Sequence, residues 1–151
     1  MNKNGILIDL SESKRTQFGK VDFAVQSAPQ KVFSAIWDLE SQVNNGGFSQ
    51  YLRNTSSETA PFVVEALEAI GAPRTADLCR RAIAVAFPGG MPAASSAISS
   101  AAAAFSETTL GRLETLDAEY FRPCENLTDC LFAYVSRHPE EFGPLPKAED
   151  A

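Results

Sequence analysis

One histidine, one tryptophan and three cysteines without a Cys-x-x-Cys pair leave this 151-residue chain little material for metal or thiol chemistry. An odd number of cysteines cannot close a disulfide framework, and a lone histidine makes a poor zinc site. Cys79, Cys124 and Cys130 therefore read as small core hydrophobes. No stretch approaches the ~20 apolar residues of a membrane span. The apolar stretch from Gly5 to Ile8 is too short for the core of an export signal, so a cytoplasmic protein without membrane contact is expected. Phe87-Pro-Gly-Gly90 lacks the following Lys-Ser/Thr of a phosphate-binding loop. No internal repeat and no reliable strand pattern emerge.

Positive charge is scarce in one part of the chain. The net charge is −6. Residues 1–106 hold nine acids and nine bases, whereas residues 107–151 hold ten acids and four bases and carry the whole excess. Phosphate contacts need a basic surface, so direct binding of nucleic acid is not expected. An acidic end suits a basic protein partner instead. Acids kept for solubility remain the simpler explanation of any single one.

What the sequence does have is helical periodicity. Val32, Ile36, Leu39 and Val43 recur at i, i+4, i+7 and i+11 with Phe33 alongside, and Pro29 suits the first turn. Asn44-Asn-Gly-Gly47 can end that helix, because Asn and Gly tolerate positive φ. Phe48, Tyr51 and Leu52 resume the spacing beyond the corner. Thr55-Ser-Ser-Glu58 has the spacing of a capping box ahead of a helix over 57–71, closed by Gly71. Pro73 opens the second arm of a helix hairpin, 73–87. The Ala- and Ser-rich stretch predicts a helix over 93–105 through Ile98. Leu110, Leu113, Leu116 and Tyr120 mark another over 107–121, and Leu127, Leu131, Tyr134 and Val135 mark the last, capped by Asn126. Before Pro29 the signals are weak: Ile6 to Leu10 suits a short strand or an extended arm. The expectation is an all-α fold, a single compact domain of six or seven helices with short connections over 30–142. An irregular N-terminal arm over 1–29 packs on it, and a loose tail follows over 143–151.

Two carboxylates sit where the pattern wants apolar groups. At 100° per residue Glu40 projects between Phe33, Ile36 and Trp37, and Asp117 lies at the edge of its helix's apolar face. Carboxylates so placed must find donors. The corner one turn beyond Glu40 offers backbone N–H groups, so a structural role for Glu40 is favoured over a catalytic one. Trp37, Glu40, Asn44, Asn45, Gly46, Gly47, Phe48 and Asp117 make up the expected structural signature. His138 closes the last helix, where the macrodipole favours a cation, and no nucleophile is paired with it. No catalytic residue, metal ligand or cofactor is assigned.

Several segments resemble, in order, a family of small bacterial all-helical proteins of largely unknown function named after a DNA mimic. They are Ala35-Ile-Trp-Asp-Leu-Glu40, Val43-Asn-Asn-Gly-Gly-Phe48, Gln50-Tyr-Leu-Arg-Asn54, Val64-Glu-Ala-Leu-Glu-Ala-Ile-Gly71, Phe87-Pro-Gly-Gly90, Leu113-Glu-Thr-Leu-Asp-Ala-Glu-Tyr-Phe121 and Ala133-Tyr-Val-Ser-Arg-His-Pro-Glu-Glu-Phe142. Val43-Asn-Asn-Gly-Gly-Phe48 is the most specific of them. The resemblance implies a non-enzymatic protein-binding domain whose acidic surface imitates DNA phosphates and occupies a basic DNA-binding regulator. Carried onto this chain, that surface would draw on Glu107, Glu114, Glu119, Glu125, Glu140 and Glu141. Glu107 and Glu119 share their helix's exposed side with Arg112 and Arg122, and mixed signs suit a salt-bridged solvent face. Two other readings stay open. One is a module for a regulatory or immunity-type partner, with incidental acidity; the less favoured one is a small enzyme with an inward Glu40/Asp117 cleft.

Overall fold

The structure is a computed structural model that describes residues 2–12, 21–54, 58–122 and 125–143. Helix α1 (Lys3–Ser11) begins where the Asn2 side chain accepts the Gly5 N–H at 2.7 Å. Its stripe is short, only Ile6, Leu7 and Leu10, and all three are buried. This corrects the short strand or extended arm expected over Ile6 to Leu10; residues 13–20 of the expected N-terminal arm lie outside the described residues. Two turns are too few to declare a period in the sequence, and most of their stability comes from the helix they pack on. That helix is α7 (Leu127–Ser136), and Lys3 adds an ion pair to Asp129 at 3.1 Å.

Helix α2 (Ala28–Arg53) is the axis of the domain. It starts at a capping box that the expected boundary passed over. The Ser27 hydroxyl accepts the Gln30 N–H at 3.3 Å, and the Gln30 side chain accepts the Ser27 N–H at 3.1 Å. The box expected at Thr55–Glu58 falls largely outside the described residues. Val32, Ile36, Leu39 and Val43 are buried as their spacing predicts. Against them pack α3 (Val63–Ala69), α5 (Ser95–Ala103), α6 (Glu107–Tyr120), α7 and the single turn α8 (Pro139–Phe142).

The remaining elements follow from local chemistry. The helix expected over 57–71 opens instead as a 3-10 turn, Ala60–Phe62, in which the Phe62 N–H reaches back to the Thr59 carbonyl at 2.9 Å. Gly71, at φ 80, ends α3 and turns the chain into α4 (Pro73–Ala86), completing the hairpin. Ser106 and Asn126 cap α6 and α7 by accepting the Thr109 and Asp129 N–H groups at 3.1 and 3.0 Å. Phe142 of α8 is fully buried against Phe33, and Gln30 donates to the Glu141 carbonyl at 3.0 Å. Among the described residues there are eight helices and no strand, so the class is all-α, in one compact domain. No helix among them is long and apolar enough to cross a membrane. The tail expected over 143–151 lies outside the described residues except for Gly143.

Candidate functional site

The corner divides α2 into two legs. Gly46 and Gly47 leave helical geometry, and Gly47 takes φ 78 with ψ −176. A Cβ at Gly47 would be strained at that φ and would also overlap the Asp117 carboxylate, so only glycine fits. Asp117 comes from α6, and its Oδ1 accepts the Phe48 N–H at 2.8 Å. Burial pushes the Asp117 carboxyl above its ordinary range, the Phe48 N–H pulls it back down, and Glu114 nearby pushes it up again. One turn further along α6, the Tyr120 hydroxyl donates to Glu40. The Tyr120 ring also meets Phe48 edge-on, at 5.8 Å and 86°. Asp117 and Tyr120 therefore brace both legs, one after the corner and one before it. On the far side, Gln50 and Asn54 both donate to the Gln42 side chain, at 2.9 and 2.6 Å.

Glu40 thus turns inward, but its donor is not the corner. The sequence reasoning paired it with the nearest N–H groups along the chain; the structure gives that acceptor role to Asp117 and gives Glu40 a phenol 80 residues away. Burial and the Glu40 carboxylate together hold the Tyr120 phenol far above its ordinary value. Trp37 is half-buried and stacks on Phe33 at 5.5 Å and 13°. Asn44, Asn45 and Gly46 stay exposed at the apex. Trp37, Glu40, Ser41 and Asn44 line one wall of a cleft of about 210 Å³, with α1 and α7 opposite.

The six acidic residues singled out for partner binding are not brought together as one face. Glu119 is held by Arg81, whose Nη1 lies 3.0 Å from its Oε2. Glu125 receives the Arg74 N–H at 2.6 Å and the Thr75 hydroxyl at 3.4 Å. It thereby caps α4 from outside, at a helix start whose own flanking residue, Ala72, makes no side-chain cap. Glu107 and Glu114 are exposed on α6. Glu140 lies 3.5 Å from His138, and the Glu141 carbonyl is engaged by Gln30.

Two features were missed in the sequence. Asp38 is half-buried on the flank of α2, close to Glu58, and receives no hydrogen bond among the described residues. Burial, and then the Glu58 charge, push its carboxyl up to about 7. The polar flank of a helix carries no sequence mark of burial. The other is the set of arginines that line the groove between α4 and α6, Arg74, Arg81 and Arg112, with Arg122 just beyond α6. Of the cysteines, Cys79 is buried, with its thiol pushed up to about 12 by that burial, and Cys130 is half-buried. Cys124 lies outside the described residues. His138 packs on the Tyr134 ring at 4.5 Å. Among the described residues, no group of three or more His, Cys, Asp or Glu side chains is arranged to hold a metal.

These features define an all-α domain built on a kinked central helix and braced across its corner by a neighbouring one. Residues 26–138 match the family model described as DMP19-like protein, and the chain belongs to that family. No curated protein and no solved structure matches it. The match corrects the resemblance drawn from the sequence. The family is that of DMP19-like proteins, not a general DNA-mimic family, and the match spans 26–138 without singling out Val43–Phe48 as a signature.

Proposed function

We propose that this domain is a non-enzymatic protein-binding module. One observation carries the reading: Glu40 and Asp117, the two carboxylates that the sequence offered for a catalytic cleft, are both committed to bonds that brace α2 on either side of its corner. An acid or base so engaged must break a structural bond to act. The working part is then the surface. Glu107 and Glu114 have no cationic partner among the described residues and keep their charge free for a partner.

The finer reading is that these carboxylates, with Glu140 and Glu141, stand in for DNA phosphates against a basic DNA-binding regulator. Their position in the third of the chain that holds all the excess negative charge supports it. Glu119 and Glu125 are engaged within the domain, which leaves Glu107 and Glu114 on α6 as one candidate site and Glu140 and Glu141 on α8 as another. A cytoplasmic setting belongs to the same proposal and is supported by Cys79 and Cys130 standing as free thiols. The test is capture of partners from the native cell at low and high salt, followed by competition with duplex DNA. Loss of a captured partner on reversal of Glu107 and Glu114 to Lys, together with displacement by DNA, supports mimicry. A partner that tolerates both reversals and ignores DNA leaves a binding module whose acidity is incidental.

A further inference from the structure

Helices α4 and α6 run antiparallel, and each turns a stripe at i, i+3, i+4 and i+7 toward a shared trough. From α4 come Arg74, Asp77, Leu78 and Arg81; from α6 come Arg112, Thr115, Leu116 and Glu119, with Arg122 just beyond. One stretch of the trough, of about 510 Å³, holds Arg112. It runs past Arg81 and Glu119 into a second stretch of about 420 Å³ that holds Arg74 and Arg122.

The charge along the trough is ordered. In the middle, Arg81 is neutralised on both sides, by Glu119 at 3.0 Å and by Asp77 at 3.3 Å. At the ends, Arg74, Arg112 and Arg122 are exposed and none forms an ion pair among the described residues, while the Glu125 carboxylate, bonded to the Arg74 N–H, stands beside Arg74 and Arg122 and leaves that end with one positive charge in excess. Of the nine lysines and arginines described, four line this trough. In a chain of net charge −6 they make it a local reversal of sign. Between the charged ends the floor is apolar, formed by Leu78, Leu116 and Val85. A guanidinium is suited to a carboxylate that it can grip with two donors.

The geometry points to the α4–α6 trough as a docking site for an acidic, apolar-centred peptide segment of a protein partner. Ten residues separate Arg112 from Arg122, on the order of 15 Å at ~1.5 Å per residue. Extended chain covers that distance in about five residues at ~3.3 Å each. The segment it fits carries carboxylates at both ends and leucine-like side chains between them. Simple polyanions match the ends but waste the apolar floor, and Asp77 and Glu119 repel a continuous run of phosphates. The site is separate from the acidic surface above and opposite in sign.

The probe is a fluorescein-labelled peptide with the core Asp-Glu-Leu-Ala-Leu-Glu-Asp, followed by fluorescence anisotropy on the full chain. Saturable binding that weakens with salt is expected. Arg112→Glu with Arg122→Glu should lower affinity tenfold or more, while the charge-matched pair Arg53→Glu with Arg137→Glu, outside the trough, should change it less than twofold. A peptide with Lys in place of its acids should bind the trough variant better than it binds the Arg53/Arg137 variant of equal charge, and a circular dichroism melt matching that of the unaltered protein shows that the trough variant is folded. The proposal is overturned if the unaltered protein gives no saturable binding, or if both variant pairs lose affinity alike. It is equally overturned if the charge-swapped peptide shows no preference for the trough variant, or if oligodeoxythymidine of equal charge competes as well as the acidic peptide.

Discussion

The Asp117 carboxylate sits directly over Gly47 and accepts the N–H of the next residue, Phe48, at 2.8 Å. The two requirements are one: a carboxylate can approach that N–H only where the preceding residue has no Cβ. Removing the carboxylate in Asp117→Ala leaves the N–H of a residue only 2% exposed without a partner, at a cost of about 1–3 kcal/mol. Asp117→Asn keeps an acceptor and should cost less. Gly47→Ala should destabilise by at least as much as Asp117→Ala, since it adds strain at positive φ to the loss of the bond. Urea denaturation of the three variants gives the order. A Gly47→Ala protein as stable as the unaltered one would overturn this account of the corner.

How far such a site could be read in advance depends on how local its causes are. The inner face of α2 repeats over three turns, so Val32, Ile36, Leu39 and Val43 were legible. Helix α1 was not, because Ile6, Leu7 and Leu10 make a stripe only when α7 lies beside them. Both Glu40 and Asp117 were recognisable as carboxylates in need of donors, since burial of a charge can be read from helical phase. Their partners were not, because Tyr120 is 80 residues from Glu40 and Phe48 is 69 from Asp117. Likewise, the Ser27 box was passed over because spacing alone does not rank candidate boxes: Ser-x-x-Gln satisfies the pattern as Thr-x-x-Glu does. The α4–α6 trough is two sequence stripes that become one feature only when antiparallel packing sets them face to face.

The bond between Glu40 and Tyr120 ties α2 to α6 and should appear as a coupling energy. Tyr120→Phe removes the hydroxyl but leaves the ring packed on Phe48. Glu40→Gln keeps an oxygen acceptor without the charge. In a double-mutant cycle of Tyr120→Phe with Glu40→Ala, the two losses should fall short of additive by about 0.5–3 kcal/mol. Additive losses would mean that the contact contributes nothing to stability. Tyr120→Phe alone should cost more than Glu40→Gln, because it leaves a half-buried carboxylate with no donor from α6.

The acidic residues of the last third should separate by role when truncated to Ala. Glu125 caps the start of α4, so Glu125→Ala should cost about 0.5–2 kcal/mol, the range for loss of a helix cap. Glu119 makes a largely exposed pair with Arg81 and should cost less than about 1 kcal/mol. Glu107→Ala and Glu114→Ala should stay within about 0.5 kcal/mol of the unaltered protein. Thermal melts of the four variants give the ranking. A Glu107 or Glu114 variant that unfolds would mean that these side chains serve the fold, and its binding data would then say nothing about an interface.

Asp38 gives the stability a pH dependence whose sign is fixed by the direction of its shift. Its carboxyl is pushed from the ordinary 3.8 up to about 7 in the folded protein, by burial first and by Glu58 second. Below about pH 4 the group is protonated in both states and costs nothing. Between there and about pH 7 the unfolded chain releases the proton while the folded chain retains it. Stability therefore falls as pH rises across that window, by at most about 1.4 kcal/mol per pH unit from this group. Above pH 7 both states are ionised, and the loss is complete and constant. Asp38→Asn stays neutral throughout, so the variant should match the unaltered protein near pH 4 and exceed it by a growing margin up to pH 7. Glu58→Gln should reduce that margin without abolishing it, because burial is the larger cause. Urea midpoints measured at pH 4, 5.5, 7 and 8 on the three proteins check this. Parallel curves for the unaltered protein and Asp38→Asn would show that Asp38 ionises normally in the fold.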